Sequence, residues 1–144
     1  MAVEYRPAAA ADLPGILGFW RTATEVPSST DDIEGLTTLV AHDPGSIIVA
    51  VDDTAIVGSL IVAWDGWRGG FYRLAVHPER RTQGIGRALV RAGESRLIAL
   101  GCRRINLFAV TEHDRAVAFW RAVGYAPQPQ DTRFVRNLVP DGPF

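Results

Sequence analysis

The residues best suited to chemistry in this chain form one run, Arg81-Thr82-Gln83-Gly84-Ile85-Gly86-Arg87. Backbone N–H groups where a Gly-rich turn opens a helix have no helical partner and point outward, and the helix dipole adds positive potential there. Such a turn holds a phosphate. Arg81 and Arg87 add charge, while Gly84 and Gly86 let the backbone come close; a Cβ at either would push phosphates away. Two rival phosphate sites fail on residue type. A Walker loop needs Gly-Lys-Ser/Thr, and all fifteen basic side chains here are arginine. A dinucleotide fingerprint needs a third glycine where Leu89 stands. The absence of lysine also rules out Schiff-base chemistry.

An α/β pattern must position this turn. Val3–Arg6 alternates as a short strand. Asp12 is placed to cap a helix through Arg21, with Leu13, Ile16, Leu17 and Trp20 facing inward. Ser29 or Thr30 is placed to cap a second helix carrying Ile33, Leu36, Leu39 and Val40, which ends before Asp43. Strands Ser46–Val51 and Ala55–Trp64 flank the hairpin signal Asp52-Asp53-Thr54. After a loop from Asp65 to Gly70 come a strand Phe71–Val76 and a helix from about Gly84 to Leu100, stopped by Gly101. A strand Arg104–Val110, a helix Asp114–Val123 closed by Gly124, and a last strand Thr132–Leu138 complete the order. This spacing predicts one α/β domain over residues 1–144 with a mixed sheet.

Composition narrows the partners. At 144 residues and 47% hydrophobic content the chain can bury a real core. Its longest apolar run, Ile56–Trp64, is too short to span a bilayer, so no membrane partner is expected. The N-terminus lacks a basic region followed by an apolar stretch, so no secretory signal is expected. A single cysteine, Cys102, excludes an intramolecular disulfide and fits a cytoplasmic location. With three scattered histidines it leaves no ligand set for a metal. The net charge of −1 hides an asymmetry. Residues 1–72 hold three arginines against ten acids, and residues 73–144 hold twelve against six. A basic half suits a polyanionic ligand and an acidic half a cationic one, unless the two sets of charges simply neutralise one another. Nucleic acid is not expected, because the overall charge is not basic and the arginines lack interleaved stacking aromatics.

The run Arg81-Thr-Gln-Gly84-Ile-Gly86, with Leu74-Ala-Val-His-Pro78 before it and a long helix after it, resembles the acetyl-CoA signature of the GNAT superfamily of N-acetyltransferases. The stretch Ala116-Val-Ala-Phe-Trp-Arg-Ala-Val-Gly-Tyr125 is similar to the family's Ala-x-x-Phe-Tyr-x-x-x-Gly-Phe segment, and the strand order matches. The loop before the fourth strand resembles that of small bacterial members with Asp-Gly-x-Arg-Gly. The resemblance implies a single-domain GNAT-like fold: a central mixed, mostly antiparallel sheet with helices on both faces. It implies acetyl-CoA as donor and a primary amine as acceptor, attacked directly in a ternary complex; with the acidic first half, that acceptor is expected to be a small cationic amine or a peptide N-terminus. Oligomeric state is left as monomer or homodimer.

Carried over residue by residue, main-chain groups of Leu74, Ala75 and Val76 would pair with the pantetheine arm, and the Val76 N–H would polarise the thioester carbonyl. Amides of Arg81, Thr82, Gln83, Gly84, Ile85 and Gly86, with the Arg81 and Arg87 side chains, would hold the pyrophosphate. His113, Phe119 and Trp120 would contact the cofactor. Two positions depart from the family. His113 stands where asparagine is usual, and Trp120 replaces the tyrosine that often protonates the departing thiolate. An indole N–H donates a hydrogen bond but is no proton source near neutral pH. His113, an imidazole, is the candidate acid, although an unperturbed thiol pKa of about 8.5 lets water serve. Asp65, Glu25, Glu112 or backbone carbonyls acting through water are candidates for the base, and Asp65 is equally a turn former. An acyl-CoA-binding regulatory module of weak activity is the alternative that Trp120 supports.

Overall fold

The computed structural model describes residues 2–23 and 30–138. Five strands lie in the order β1-β2-β3-β4-β5: β1 is Glu4–Pro7, β2 Ile47–Asp52, β3 Ala55–Trp64, β4 Gly69–Val76 and β5 Ile105–Leu107. β1 to β4 pair antiparallel and β4 pairs parallel with β5, so the sheet is mixed and mostly antiparallel. The described residues also form four α-helices: α1 Leu13–Ala23, α2 Ile33–His42, α3 Ile85–Ala99 and α4 Asp114–Ala122.

Helices cover both faces, because β2 presents apolar side chains to each. Ile47, Val49 and Val51 join Leu13, Ile16, Trp20 and Leu36 of α1 and α2 in one cluster. Ile48 and Ala50 join Ile85, Leu89, Val90 and Leu97 of α3 in the other. Such continuous burial is the mark of a strand sandwiched between helix layers.

Four expectations are corrected. Asp12 does not cap α1; it closes a 3₁₀ turn, Ala10–Asp12, accepting from the Ala9 amide at 2.7 Å and from Arg6 at 2.8 and 3.0 Å. The charged donor wins the carboxylate. The N-cap of α2 is Asp32, accepting from the Gly35 amide at 2.7 Å, rather than Thr30; Ser29 lies outside the described residues. Thr132–Leu138 forms no strand among the described residues, and β5 is three residues long instead of seven. Alternation in that tail is not matched by a ladder partner, and Phe134 and Leu138 are 90% exposed.

The charge asymmetry resolves into ion pairs across the two halves. Asp31 meets Arg73 at 2.7 Å, Asp43 meets Arg96 at 2.6 Å, and Asp52 meets Arg80 at 2.8 Å. Three acids of the first half thus tie down three arginines of the second. These pairs neutralise part of the asymmetry within the fold.

Candidate functional site

β4 and β5 stay together only briefly. Gly69, Gly70 and Phe71 stand beside Ile105, Asn106 and Leu107, after which β5 ends while β4 continues to Val76. The far half of β4 therefore borders an opening. Val76 stands opposite Gly58 and Ala75 opposite Ser59, and the next residue, His77, donates to the Val57 carbonyl at 2.9 Å. Antiparallel partners alternate between facing and turning away from one another. Ala75 accordingly turns its N–H and C=O toward β3, and Val76 turns its own toward the opening. The Ala75 side chain is buried with α1 and α2, while Leu74 and Val76 pack on the α3 side.

The chain then passes a 3₁₀ turn, Pro78–Arg80, and enters the Gly-rich turn. Thr82 at φ 67° and Gly84 at φ 85° are both left-handed. Backbone that alternates in hand curls its amides inward and makes an anion-binding concavity. Gly84 is the N-cap of α3 and offers no side-chain cap, leaving the first-turn amides of a 15-residue helix for a ligand. A Cβ at Gly84 would meet nothing within 4 Å, but one at Gly86 would stand 3.2 Å from Phe119 and 3.6 Å from Val76. Gly86 is thus a packing residue as well as a place of close approach. The end of β4, the start of α3 and α4 converge there.

Side chains of the turn have separate duties. Arg80 reaches Asp52 of β2 at 2.8 Å and Gln83 at 2.9 Å, which pins the turn to the sheet and occupies Gln83. Arg81 reaches the Ala23 carbonyl at 3.4 Å. Ile85 is buried in the α3 core, so only its amide can serve a ligand. Arg87 is exposed, as is Thr82.

Trp120 is half-buried. Its ring lies 6.1 Å from Phe71 and 5.2 Å from both Phe119 and Tyr125. The Tyr125 hydroxyl donates to Glu94 of α3 at 2.6 Å; burial first, and this carboxylate second, push the phenol far above its ordinary pKa. Tyr125 therefore acts as a packing residue of the α3–α4 contact. His113 is exposed just before α4, and its carbonyl accepts from the Val117 amide at 3.1 Å.

Asp65 lies elsewhere. Its carboxylate accepts from the amides of Trp67 and Arg68 at 2.8 and 2.7 Å, which holds its pKa below the usual carboxylate range. It sits at the opposite end of β4 from Val76, about 20 Å away by strand rise. The β3–β4 turn is thus the role its surroundings give it. Beside it Trp67 is 69% exposed under the Arg68 guanidinium, 4.2 Å from the ring centroid. Glu112 is exposed, and Glu25 lies outside the described residues.

Strict alternation would put Tyr72 and Arg73 on opposite faces of β4. The structure puts them on the same one. β4 carries a surplus residue between Tyr72, opposite Ile61, and Ala75, opposite Ser59. Arg73 absorbs it at φ 52°, a left-handed conformation costing a non-glycine residue about 1–2 kcal/mol. Its guanidinium then reaches Asp31, ahead of α2. Neither the bulge nor Asp31 carries a local sequence signal, since both arise from contacts far apart in the chain.

Residues 16–125 match the model of the Acetyltransferase (GNAT) family. An acetyltransferase of Sodalis glossinidius (strain morsitans) is 36% identical over 100 residues, covering 69% of this chain and 70% of that protein. Among solved structures, the PaiA N-acetyltransferase of Thermoplasma acidophilum, in complex with coenzyme A, superposes with a TM-score of 0.79 at 17% identity, covering 91% of this chain and 94% of the other. The aminoglycoside N-acetyltransferase AAC(6')-Iy in complex with CoA gives 0.74 at 16% identity, over 96% of each chain. At those identities the two structures speak to the fold alone.

Proposed function

The chain belongs to the GNAT family of acetyltransferases, and from that membership we propose that it transfers the acetyl group of acetyl-CoA to a primary amine by direct attack in a ternary complex. The observation that carries the reading is the parting of β4 from β5 after Phe71 and Leu107, which leaves an opening beside the outward-turned Val76 amide and ahead of the Arg81–Gly86 turn. These residues fit the donor. The left-handed Thr82 and Gly84 shape a cradle for a pyrophosphate, and the β4 edge accepts an extended arm as a further strand. When bound, acetyl-CoA supplies an activated acyl group.

The protein's part is positional and electrostatic. Arg81 to Gly86 hold the diphosphate through amides, with Arg81 and Arg87 adding charge. Leu74 and Val76 align the arm, and the Val76 N–H faces the carbonyl oxygen as charge develops on it. The attacking amine must first lose a proton. Asp65 is too far along β4 to take it, which leaves Glu25, Glu112 or water bound to backbone carbonyls as the relay. Trp120 offers at most an indole hydrogen bond to the leaving sulfur. His113, exposed at the start of α4, or water returns the proton to the thiolate.

The acceptor is a small-molecule amine. A fold like that of AAC(6')-Iy, which has been solved with a bisubstrate analogue of CoA and acetylneamine, supports this class. Thiol release measured with acetyl-CoA and a panel of polyamines, aminoglycosides, amino acids and short peptides tests the proposal, with mass spectrometry of the product. Acetylated product from one class establishes it. Tight acetyl-CoA binding without turnover on any amine favours the second reading, a weakly active acyl-CoA-binding regulatory module, which rests on Trp120 in the family's tyrosine position.

A further inference from the structure

Arg73 is held in its left-handed conformation from two directions. Its carbonyl accepts from Ser59 Oγ at 3.2 Å, and that hydroxyl accepts from Trp20 Nε1 at 2.8 Å. Its guanidinium grips Asp31 with two donors, Nε to Oδ1 at 2.9 Å and Nη2 to Oδ2 at 2.7 Å, and lies 5.9 Å from the Trp20 ring centroid. The two side chains are only 23% and 15% exposed, so water competes weakly for either. A bidentate arginine–carboxylate pair fixes orientation as well as distance. A strained residue persists only where its surroundings over-determine it.

The consequence lies further along the same strand. Without the surplus residue in β4, everything after it would slip by one position, and a one-residue slip exchanges the two faces and edges of a strand. Ala75 would then turn its amide to the opening, and Val76 would turn to β3. The bulge therefore decides which amide faces the donor.

We infer, resting on the acetyl-transfer reading above, that Asp31 and Arg73 are a positioning pair. Their ion pair holds Arg73 left-handed and so keeps the bulge that aims the Val76 amide at the thioester carbonyl. Neither side chain touches the reacting atoms.

The test uses bound [1-13C]acetyl-CoA and needs no acceptor. Isotope-edited infrared spectroscopy reads the carbonyl stretch, which falls as an amide polarises it, and calorimetry reads affinity. Arg73→Ala removes the guanidinium but keeps the Cβ that disfavours positive φ. Arg73→Gly removes both, so the conformation no longer needs the pair. The wild type and Arg73→Gly should show the same lowered stretch. Arg73→Ala and Asp31→Ala should lose at least about half of that shift, while coenzyme A affinity stays within about threefold because the phosphate turn is distant. Asp31→Ala placed on Arg73→Gly should change nothing further, and this double variant keeps the test decisive if Asp31→Ala alone folds poorly. With an accepted amine, Arg73→Ala should lower kcat by about tenfold, the scale of a misaimed donor, with little change in KM for acetyl-CoA. A full shift in Arg73→Ala, or an equal loss in Arg73→Gly and Arg73→Ala, overturns the inference. A wild type that does not bind acetyl-CoA overturns the acetyl-transfer reading itself, and the inference with it.

Discussion

Phe119 of α4 closes over Gly86 of α3 so tightly that a Cβ on the glycine would stand 3.2 Å from its ring. The first turn of α3 is therefore also a joint between two helices. Gly86→Val should lower acetyl-CoA affinity and destabilise the fold together, the latter by about 1–3 kcal/mol as an overpacked site. Thermal unfolding and calorimetry on one variant check this. Lost affinity with an unchanged Tm would mean that α3 can move away from α4 freely. Gly84→Ala is the complementary case. Its Cβ meets open space, so only the left-handed backbone is strained, at about 1–2 kcal/mol, and affinity falls through distortion of the turn.

The ion pairs that join the acidic and basic halves should divide by location. Asp52 is 8% exposed and holds Arg80 beside the Gly-rich turn, whereas Asp43 holds Arg96 near the opposite end of β2, where the guanidinium also reaches the Val62 carbonyl at 3.3 Å. Removing a hydrogen-bonded charge partner at either place should cost about 1–3 kcal/mol in urea unfolding. Only Asp52→Ala should also weaken acetyl-CoA binding. Equal affinity losses in Asp52→Ala and Asp43→Ala would show that the pairs act through global stability alone.

Local signals made the Gly-rich turn at the start of α3 and the helix stops readable, because glycine, proline and charged residues there act on neighbours in sequence. Gly101 and Gly124 end their helices at φ 93° and 101°, as their positions suggest. Period-two reading failed at Tyr72 and Arg73, since a bulge is set by register against another strand. It failed again at Thr132–Leu138, where alternation implies a strand only if an edge is available to pair. Half-chain charge counts misled for a related reason: Asp31 and Arg73 are 42 residues apart and meet only in the fold. Asp65 looked close to the chemistry because it precedes β4, yet a strand separates its ends in space.

Acid should weaken the fold partly through Asp12. The hydrogen bond from Arg6, then the Ala9 amide, hold this carboxyl below its ordinary pKa. A depressed folded value means that the contribution is complete above the unfolded value of about 3.9 and is lost as pH falls through the folded one. Asp12→Asn should therefore lower stability at pH 7, where the ion pair with Arg6 is lost, and the gap to the wild type should close below pH 4, which flattens the acid limb of the variant. An acid limb as steep as that of the wild type would assign the decline to other carboxylates.

Alkali provides a cleaner titration than is usual, because the chain has no lysine to ionise between pH 9 and 11, and only three tyrosines. Burial and then Glu94 raise the Tyr125 phenol well above its ordinary value. For a group raised on folding, the stabilisation is intact below the unfolded pKa of about 10 and is lost as pH climbs toward the folded one, since the unfolded chain releases its proton first. Tyr5 is also raised, by burial against the opposing effect of Arg80, so some slope remains without Tyr125. Tyr125→Phe should cost about 1–2 kcal/mol at pH 7, because Glu94 loses a donor at 2.6 Å, and the loss should narrow above pH 10. Urea unfolding of both proteins at pH 7, 9 and 10.5 follows the difference. A gap that stays constant across that range would show that the phenol of Tyr125 contributes shape to the α3–α4 contact and its hydrogen bond contributes nothing.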